Sequence, residues 1–488
     1  MSVKYSPDLT PFDTLILDVS DDTLSAETPE IRALYAALRA EDADTPTPAQ
    51  PSVLASRAYG LTYDGHPFTR IVFVRRSPDL TPRKLRQRYG QAAKVIASLH
   101  GENALYIPDA STPRAAFVTI AEGFLLGQYK FEKYAKRPPR VPADLTVLAP
   151  DDVRAELAEG SILAEAAYFA RDLAFEPPNV ATPEEIARRA LDLERVPGLT
   201  VTVLGREQIR AQRLRAFLAV SQGSAREPQL IVADYTGAPE SAERLALVGK
   251  GICFDSGGYC LKGGESIASM KTDMQGASVV LAAVAAIAKA KLRVNVTAVV
   301  AACENLISND ALLPGDIIEA RSGALIEIVN TDAEGRLTLA DALIYAIEEK
   351  RATRLVDIAT LTGSCAQTFG SAYIGTFASD DEFYGKLADS AHLSGENIWR
   401  LPLAEEYKKL NRSEVAHLKN AGPRFAGAIT AALFLQEFTR DLPWIHLDIA
   451  GASRSDSDAE IFTVGSTGAG TALLYTLAKN LSDKDVTQ

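Results

Sequence analysis

Two glycine-rich turns loaded with charge, each beside an apolar run, constrain this chain more than any other part of its sequence. The first reads Leu247-Val248-Gly249-Lys250-Gly251-Ile252-Cys253-Phe254-Asp255-Ser256-Gly257-Gly258, followed by Lys262 and Asp273. The second reads Asn330-Thr331-Asp332-Ala333-Glu334-Gly335-Arg336. A solvated surface would scatter such charges among Ser, Asn and Gln. Here they interrupt Leu245–Val248 and Leu325–Val329, which read as buried strands. Charges at the ends of buried strands need partners, and a metal cluster is the obvious one.

The rest of the composition narrows the classes. At 488 residues the chain exceeds one ordinary core, so two domains are expected. A net charge of −12 provides no overall field for phosphate backbones or anionic lipid, so neither nucleic acid nor membrane is expected as a partner. The basic run Pro82–Arg88 reads as a solvated helix face. Ala277–Ala288, the longest nearly unbroken apolar run, is too short to span a bilayer and suits a buried helix. No basic segment followed by an apolar one opens the sequence, so a cytoplasmic location is expected. Four cysteines make no disulfide framework, and Cys253 and Cys260 read as small side chains in a reducing cytosol. None of the five histidines (His66, His100, His392, His417, His446) belongs to an HExxH pair.

Patterning predicts an α/β protein: a smaller N-terminal α/β domain over 1–150, a linker helix over 151–175 and a larger domain over 176–488. In the first, strands are expected at Thr14–Val19, Arg70–Val74, Ala116–Ile120 and Leu145–Leu148, with helices at Pro82–His100 and Ala121–Ala135. The segment Lys136-Arg137-Pro138-Pro139-Arg140-Val141-Pro142 reads as a loop. Asp151 is the expected N-cap of the linker helix. Beyond 180, apolar strands at Leu199–Leu204, Gln229–Tyr235, Arg244–Gly249, Val294–Ala301, Ala324–Val329, Arg354–Ala359 and Trp444–Ile449 are interspersed with helices at Pro183–Glu194, Lys271–Lys289, Leu337–Lys350 and Gly427–Thr439. This pattern implies a mainly parallel central sheet flanked by helices, with a site outside the carboxyl ends of its strands. Asp255 and Asp332 are expected just past two such ends.

The chemistry follows from the donor types. Asp255, Asp273, Asp332 and Glu334 are hard oxygen ligands. Four carboxylates in one pocket cannot all stay ionised without cations. Two divalent ions would remove that repulsion and make a hydrolytic site. Oxygen ligands favour zinc, manganese or magnesium over copper. Lys250 reads either as an amine ligand or as an ion-pair partner, and spacing leaves both open. Lys262 suits stabilisation of a developing oxyanion. Arg336 offers a fork for a planar anion. No His or unassigned Glu stands nearby as a general base.

These stretches resemble the leucyl (cytosol) aminopeptidases, which are dinuclear metallo-exopeptidases. The resemblance rests on Gly249–Gly258, Lys262, Met270-Lys271-Thr272-Asp273-Met274 and the eight-residue signature Asn330–Leu337. It continues through Ala359-Thr360-Leu361-Thr362-Gly363, Trp399–Leu403 and His446–Gly451. It implies that 176–488 is a catalytic metallopeptidase domain. Lys250, Asp255, Asp273 and Glu334 would hold one metal; Asp255, Asp332 and Glu334 would hold the other. Zinc or manganese is implied, with magnesium and cobalt as further candidates. Lys262 would be the electrophile, and Arg336 would hold a bicarbonate ion acting as base. Peptides with a free N-terminus would be the substrates, and a homohexamer the assembly.

By the same resemblance, Met270, Thr360, Leu361, Gly363, Ala450 and Ser453 would bind substrate. An apolar, uncharged lining implies a preference for Leu or Met. Ser453 stands where some relatives place Met, which should relax the pocket toward larger residues. Two other readings compete: a relative of the same fold with reduced catalysis, and a moonlighting DNA binder. All seven catalytic positions are filled and the net charge is negative, so both rank below the enzyme.

Overall fold

A computed structural model describes residues 1–20, 23–43, 53–76, 80–136, 138 and 140–482. Arg137 and Pro139 of the expected 136–142 loop lie outside the described residues. The chain divides into two compact units, Met1–Glu165 with Asp456–Val464, and Ala166–Ser455 with Gly465–Gln488. The division falls inside one helix, Arg154–Phe175. That helix starts later than Asp151, and Asp152 Oδ1 accepts the backbone N–H of Arg154 at 3.0 Å, so the expected cap at Asp151 is corrected.

Among the described residues, the first unit is built on a seven-stranded sheet. Five of its strands run parallel in the order Val3–Ser6, Asp144–Leu148, Asn103–Ile107, Thr14–Ser20 and His66–Arg76, and Val53–Tyr63 adds antiparallel at the edge. One expected strand is wrong. Ala116–Ile120 opens a helix, Ala116–Gly127, which also ends short of the expected Ala135. Its β-branched residues suggest a strand, but packing overrides that local preference. A Cβ at Gly123 would lie 2.3 Å from the carbonyl oxygen of Arg86, and one at Gly127 would lie 2.2 Å from that of Gly90. These glycines let the helix lie directly against the helix Pro82–Ser98, where Arg86 and Glu122 form a buried ion pair at 3.0 Å.

The second unit carries an eight-stranded sheet. Its order is Ile398–Arg400, Ile374–Ala378, Trp444–Asp448, Arg354–Ala359, Leu245–Asp255, Asn295–Asn305, Gln229–Thr236 and Leu199–Leu204. Trp444–Asp448 through Asn295–Asn305 run parallel, and antiparallel pairings lie outside them. The largely apolar helix Gln275–Lys289 and the helix Gly335–Glu348 pack against these strands and are buried along most of their lengths. Burial all round explains why the Ala277–Ala288 run shows no polar stripe.

Among the readings of this unit that change, two bear on the site. The strand that begins at Leu245 continues through Lys250 to Asp255 instead of stopping at Gly249. The run at Ala324–Val329 is not in the main sheet. Only Leu325–Glu327 is extended, pairing with Ile317–Glu319 and Leu418–Lys419 in a separate three-stranded sheet. Leu325 and Val329 are exposed at 38% and 41%, so the run is not the buried strand its composition implies, and Asp332 does not follow a strand of the main sheet.

Candidate metal centre

Lys250 and Asp255 share one strand at an odd spacing, which on a regular strand sends side chains to opposite faces. The pairing with Asn295–Asn305 corrects this. Lys250 is opposite Ala301 and Asp255 opposite Asn305, with a register shift between Ile252 and Phe254 that leaves Cys253 uncounted. In the partner's register the two are an even distance apart and share a face. Bulges between parallel strands are uncommon and tend to re-aim a side chain.

The strand ends in a tight turn. Gly257 has φ +86°, and a Cβ there would meet the Cys260 carbonyl oxygen at 2.5 Å and Asp332 Oδ1 at 2.8 Å. Glycine is therefore required both for the backbone and for the approach of the second turn. The backbone N–H of Lys262 bonds to the Ser256 carbonyl at 3.0 Å, folding the lysine back over the turn. Its Nζ lies 2.8 Å from Asp255 Oδ2 and 2.5 Å from Asp332 Oδ1. Asp273 follows the short 3-10 turn Met270–Thr272 and precedes the helix Gln275–Lys289, and its Oδ1 accepts the Thr360 hydroxyl at 2.6 Å.

The second turn has little regular structure, and side chains shape it. Asn330 Oδ1 accepts the backbone N–H of Asp332 at 2.9 Å. Thr331 donates its hydroxyl to the Gly257 carbonyl at 2.7 Å, and its own carbonyl accepts from Asn305 Nδ2 at 3.1 Å. The same Nδ2 donates to Asp255 Oδ1 at 2.8 Å, which ties both turns together. Glu334 occupies the N-cap position of the helix Gly335–Glu348 without a capping bond from its side chain, and Arg336 lies in the first turn, donating from Nη1 to the Asn420 carbonyl at 2.9 Å.

One carboxylate oxygen from each of Asp255, Asp273 and Glu334 lies within 4.8 Å of the others, and all three residues are buried. Lys250 Nζ stands 2.7 Å from Asp273 Oδ2 and 2.9 Å from Glu334 Oε1, and donates to the Thr360 carbonyl at 3.2 Å. Burial pushes the Glu334 carboxyl up to about 8, reinforced by the charge of Asp255. Burial likewise lifts Asp273 to about 6 and raises Asp332. Burial pulls Lys250 down, but Asp273 and Glu334 outweigh it and hold the ammonium above its ordinary value. Four carboxylates face two lysines here, so the lysines stay charged and the acids compete for the remaining protons. Burial lowers Arg336 to about 10. Glu334 Oε2 lacks a hydrogen-bond partner among the described residues, while Glu334 Oε1 and Asp273 Oδ2 face the Lys250 ammonium. A buried carboxylate oxygen without a donor, beside others that face only an ammonium, fits a site built for cations.

Of the residues expected to bind substrate, Thr360 touches the cluster, donating its hydroxyl to Asp273 and accepting Lys250 Nζ at its carbonyl. Met270, Thr360, Leu361 and Ala450 are half-buried, and Gly363 is exposed at the start of the helix Gly363–Phe369. Ser453 is buried, its hydroxyl 3.5 Å from the Ala450 carbonyl. Asp448 joins the two loops: it accepts the Thr362 hydroxyl at 2.6 Å and the backbone N–H groups of Leu361 at 3.3 Å and Ala450 at 3.1 Å. Sequence reasoning gave no role to Asn305, Asn420 or Asp448. Each acts on backbone groups, and no spacing rule signals that.

A model described as the cytosol aminopeptidase family, catalytic domain, matches residues 168–475, which include every residue of the cluster. The chain belongs to the cytosol aminopeptidase family. It is therefore an aminopeptidase and a hydrolase. A probable cytosol aminopeptidase from Clostridium perfringens is 42% identical over 413 residues, covering 82% of this chain and 84% of that protein. Another, from Geobacter sulfurreducens, is 41% identical over 424 residues, covering 85% of each. Among solved structures, a tomato leucine aminopeptidase mutant aligns with a TM-score of 0.86 at 29% identity, covering 98% of this chain and 96% of its own. The bottromycin maturation enzyme BotP aligns with a TM-score of 0.84, also at 29% identity, covering 97% and 100%. One BotP structure is a complex with Mn.

Proposed function

We propose that this aminopeptidase removes N-terminal residues from peptides, apolar ones such as Leu and Met first, with two divalent metal ions in the cluster. Lys250, Asp255, Asp273 and Glu334 would hold one ion; Asp255, Asp332 (side chain and backbone carbonyl) and Glu334 would hold the other. The observation that carries this reading is the convergence of the buried Asp255, Asp273 and Glu334 carboxylates, with Glu334 Oε2 left without a hydrogen-bond donor among the described residues. The hard donor set favours zinc or manganese, with magnesium or cobalt as alternatives. Ions held there supply Lewis acidity for the scissile carbonyl and a lowered pKa for water. Lys250 can ligate only as the free amine, so binding at that position releases its proton.

The remaining groups orient and stabilise. Lys262 brings a positive charge to the edge of the cluster, where it would stabilise the oxyanion that forms on the substrate. Arg336 is buried, and its Nε has no hydrogen-bond partner among the described residues. A fork with an unused donor suits a planar anion, and Arg336 would hold a bicarbonate ion, which would supply a base where no His or unassigned Glu stands nearby. Met270, Thr360, Leu361, Gly363, Ala450 and Ser453 would receive the N-terminal side chain.

The catalytic domain is assigned to 176–488, joined to the 1–150 domain through the 151–175 linker, whose helix spans Arg154–Phe175. A cytoplasmic homohexamer is the assembly that the family resemblance supports. No helix among the described residues is long and apolar enough to cross a membrane. The deciding experiment strips the protein with a strong chelator and assays aminoacyl-arylamides. Activity should vanish and return with added divalent metal. Full activity in protein shown by elemental analysis to be metal-free would sink the two-metal reading, and a monomer mass by light scattering would sink the hexamer.

A further inference from the structure

We propose that Asn420 is a positioning residue that sets the metal affinity of the Asn330–Arg336 turn; the inference rests on the metal site proposed above. Asn420 follows the short strand Leu418–Lys419 and is fully buried. Its side chain spends all its bonding capacity on one turn. Oδ1 accepts the backbone N–H groups of Val329 at 2.9 Å and Asn330 at 3.3 Å. Nδ2 donates to the carbonyls of Asn330 at 2.6 Å and Ala333 at 3.2 Å. Two acceptor sites and two N–H groups are the whole inventory of a carboxamide. The network also fixes its orientation, since a flipped amide would set N–H against N–H and oxygen against carbonyl.

The carbonyls it grips flank the proposed ligands. Asn330 and Ala333 are close neighbours of Asp332, and Ala333 immediately precedes Glu334. Thr331 and Asn305 hold the turn from the side of Gly257, and Asn420 holds it from the opposite side of the sequence motif. Within the turn the Ala333 N–H bonds to the Asn330 carbonyl at 3.2 Å, and helix bonds begin only at the Glu334 carbonyl. Asn420 adds the bonds that hold Asn330 and Ala333 in place around Asp332. Aspartate has the same volume but no donors, so it would aim an oxygen at two carbonyls; alanine would leave the Ala333 carbonyl without its donor and the Asn330 carbonyl with only the Ala333 N–H.

Full-length protein carrying Asn420→Ala or Asn420→Asp tests this by manganese affinity, measured by chelator competition, together with melting temperature with and without manganese. Both variants should bind manganese about 10- to 100-fold more weakly, the usual cost of losing an outer-shell partner. The rise in melting temperature on adding manganese should shrink accordingly. A merely structural asparagine would lower the melting temperature of the metal-free protein but leave that rise intact. Arg336 does not confound the result, because its acceptor is the backbone carbonyl of residue 420, which both variants keep. If Asn420→Ala fails to fold, the isosteric Asn420→Asp carries the comparison. Wild-type affinity in these variants, alongside metal loss in Asp332→Asn and Glu334→Gln, overturns the role of Asn420 alone. Wild-type affinity in Asp332→Asn and Glu334→Gln as well overturns the metal site and this inference together.

Discussion

Lys250 Nζ and Glu334 Oε1 meet at 2.9 Å, one from the middle of a buried strand and the other from the cap of a helix. The contact depends on the residue after Glu334. A Cβ at Gly335 would sit 2.4 Å from Lys250 Cε and 2.8 Å from Nζ. The lysine cannot swing aside, because it is buried and ion-paired to Asp273 as well.

Gly335→Ala should therefore displace Lys250. Overpacking of this kind costs about 1–3 kcal/mol. Metal content should fall along with stability. Thermal denaturation and elemental analysis check both, and wild-type values in each would show that Lys250 has room to move.

Lys262→Ala should act on the transition state. Loss of one oxyanion-stabilising group costs about 10²–10³ in kcat. Metal content should stay at the wild-type level. A variant that loses metal instead would make Lys262 a ligand or a structural partner.

Much of the framework was legible in the sequence, and the exceptions share a cause. Arg354–Ala359 and Leu199–Leu204 end where their apolar runs end. Ala116–Ile120 misleads because two glycines bring its backbone against another helix, an effect carried by residues outside the run. Leu325–Val329 misleads because strand-forming composition says nothing about which sheet receives the strand. The charged residues of the two turns stand out by composition. Asn305, Asn420 and Asp448 do not, since a side chain that clamps distant backbone leaves no periodic trace.

Asp341 provides a pH test away from the cluster. It is fully buried and accepts the backbone N–H groups of Arg321 at 2.7 Å and Phe217 at 3.0 Å. Burial outweighs those bonds and pushes its carboxyl up to about 7 from an ordinary 3.8. Between these values the folded chain keeps a proton that the unfolded chain has released. This group's contribution to stability therefore falls as pH rises through that window and is constant above it. Asp341→Asn cannot titrate and should flatten the slope, though its amide loses one acceptor and lowers stability throughout. Melting temperatures from about pH 4 to about pH 8 decide the matter; equal slopes in both proteins would place the titration elsewhere.

Ser453→Met tests the shape of the proposed side-chain pocket. If residue 453 faces the substrate, a longer side chain there should reduce kcat/KM for Phe relative to Leu. The effect should be about 1–3 kcal/mol, the usual worth of a methylene or two in an apolar pocket. An unchanged Phe-to-Leu ratio would remove Ser453 from the lining.

The uncounted Cys253 has a consequence for how this strand tolerates change in length. Five steps separate Lys250 from Asp255, and a ribbon that used all five would turn one of them away from the other. The sheet makes the sum even by skipping a place. Removing Cys253 would do the same arithmetic in the chain itself and leave both side chains looking the same way. Straightening the strand with every residue present would not. The parity of that short stretch, more than the identity of the cysteine in it, is what keeps the cluster on one side.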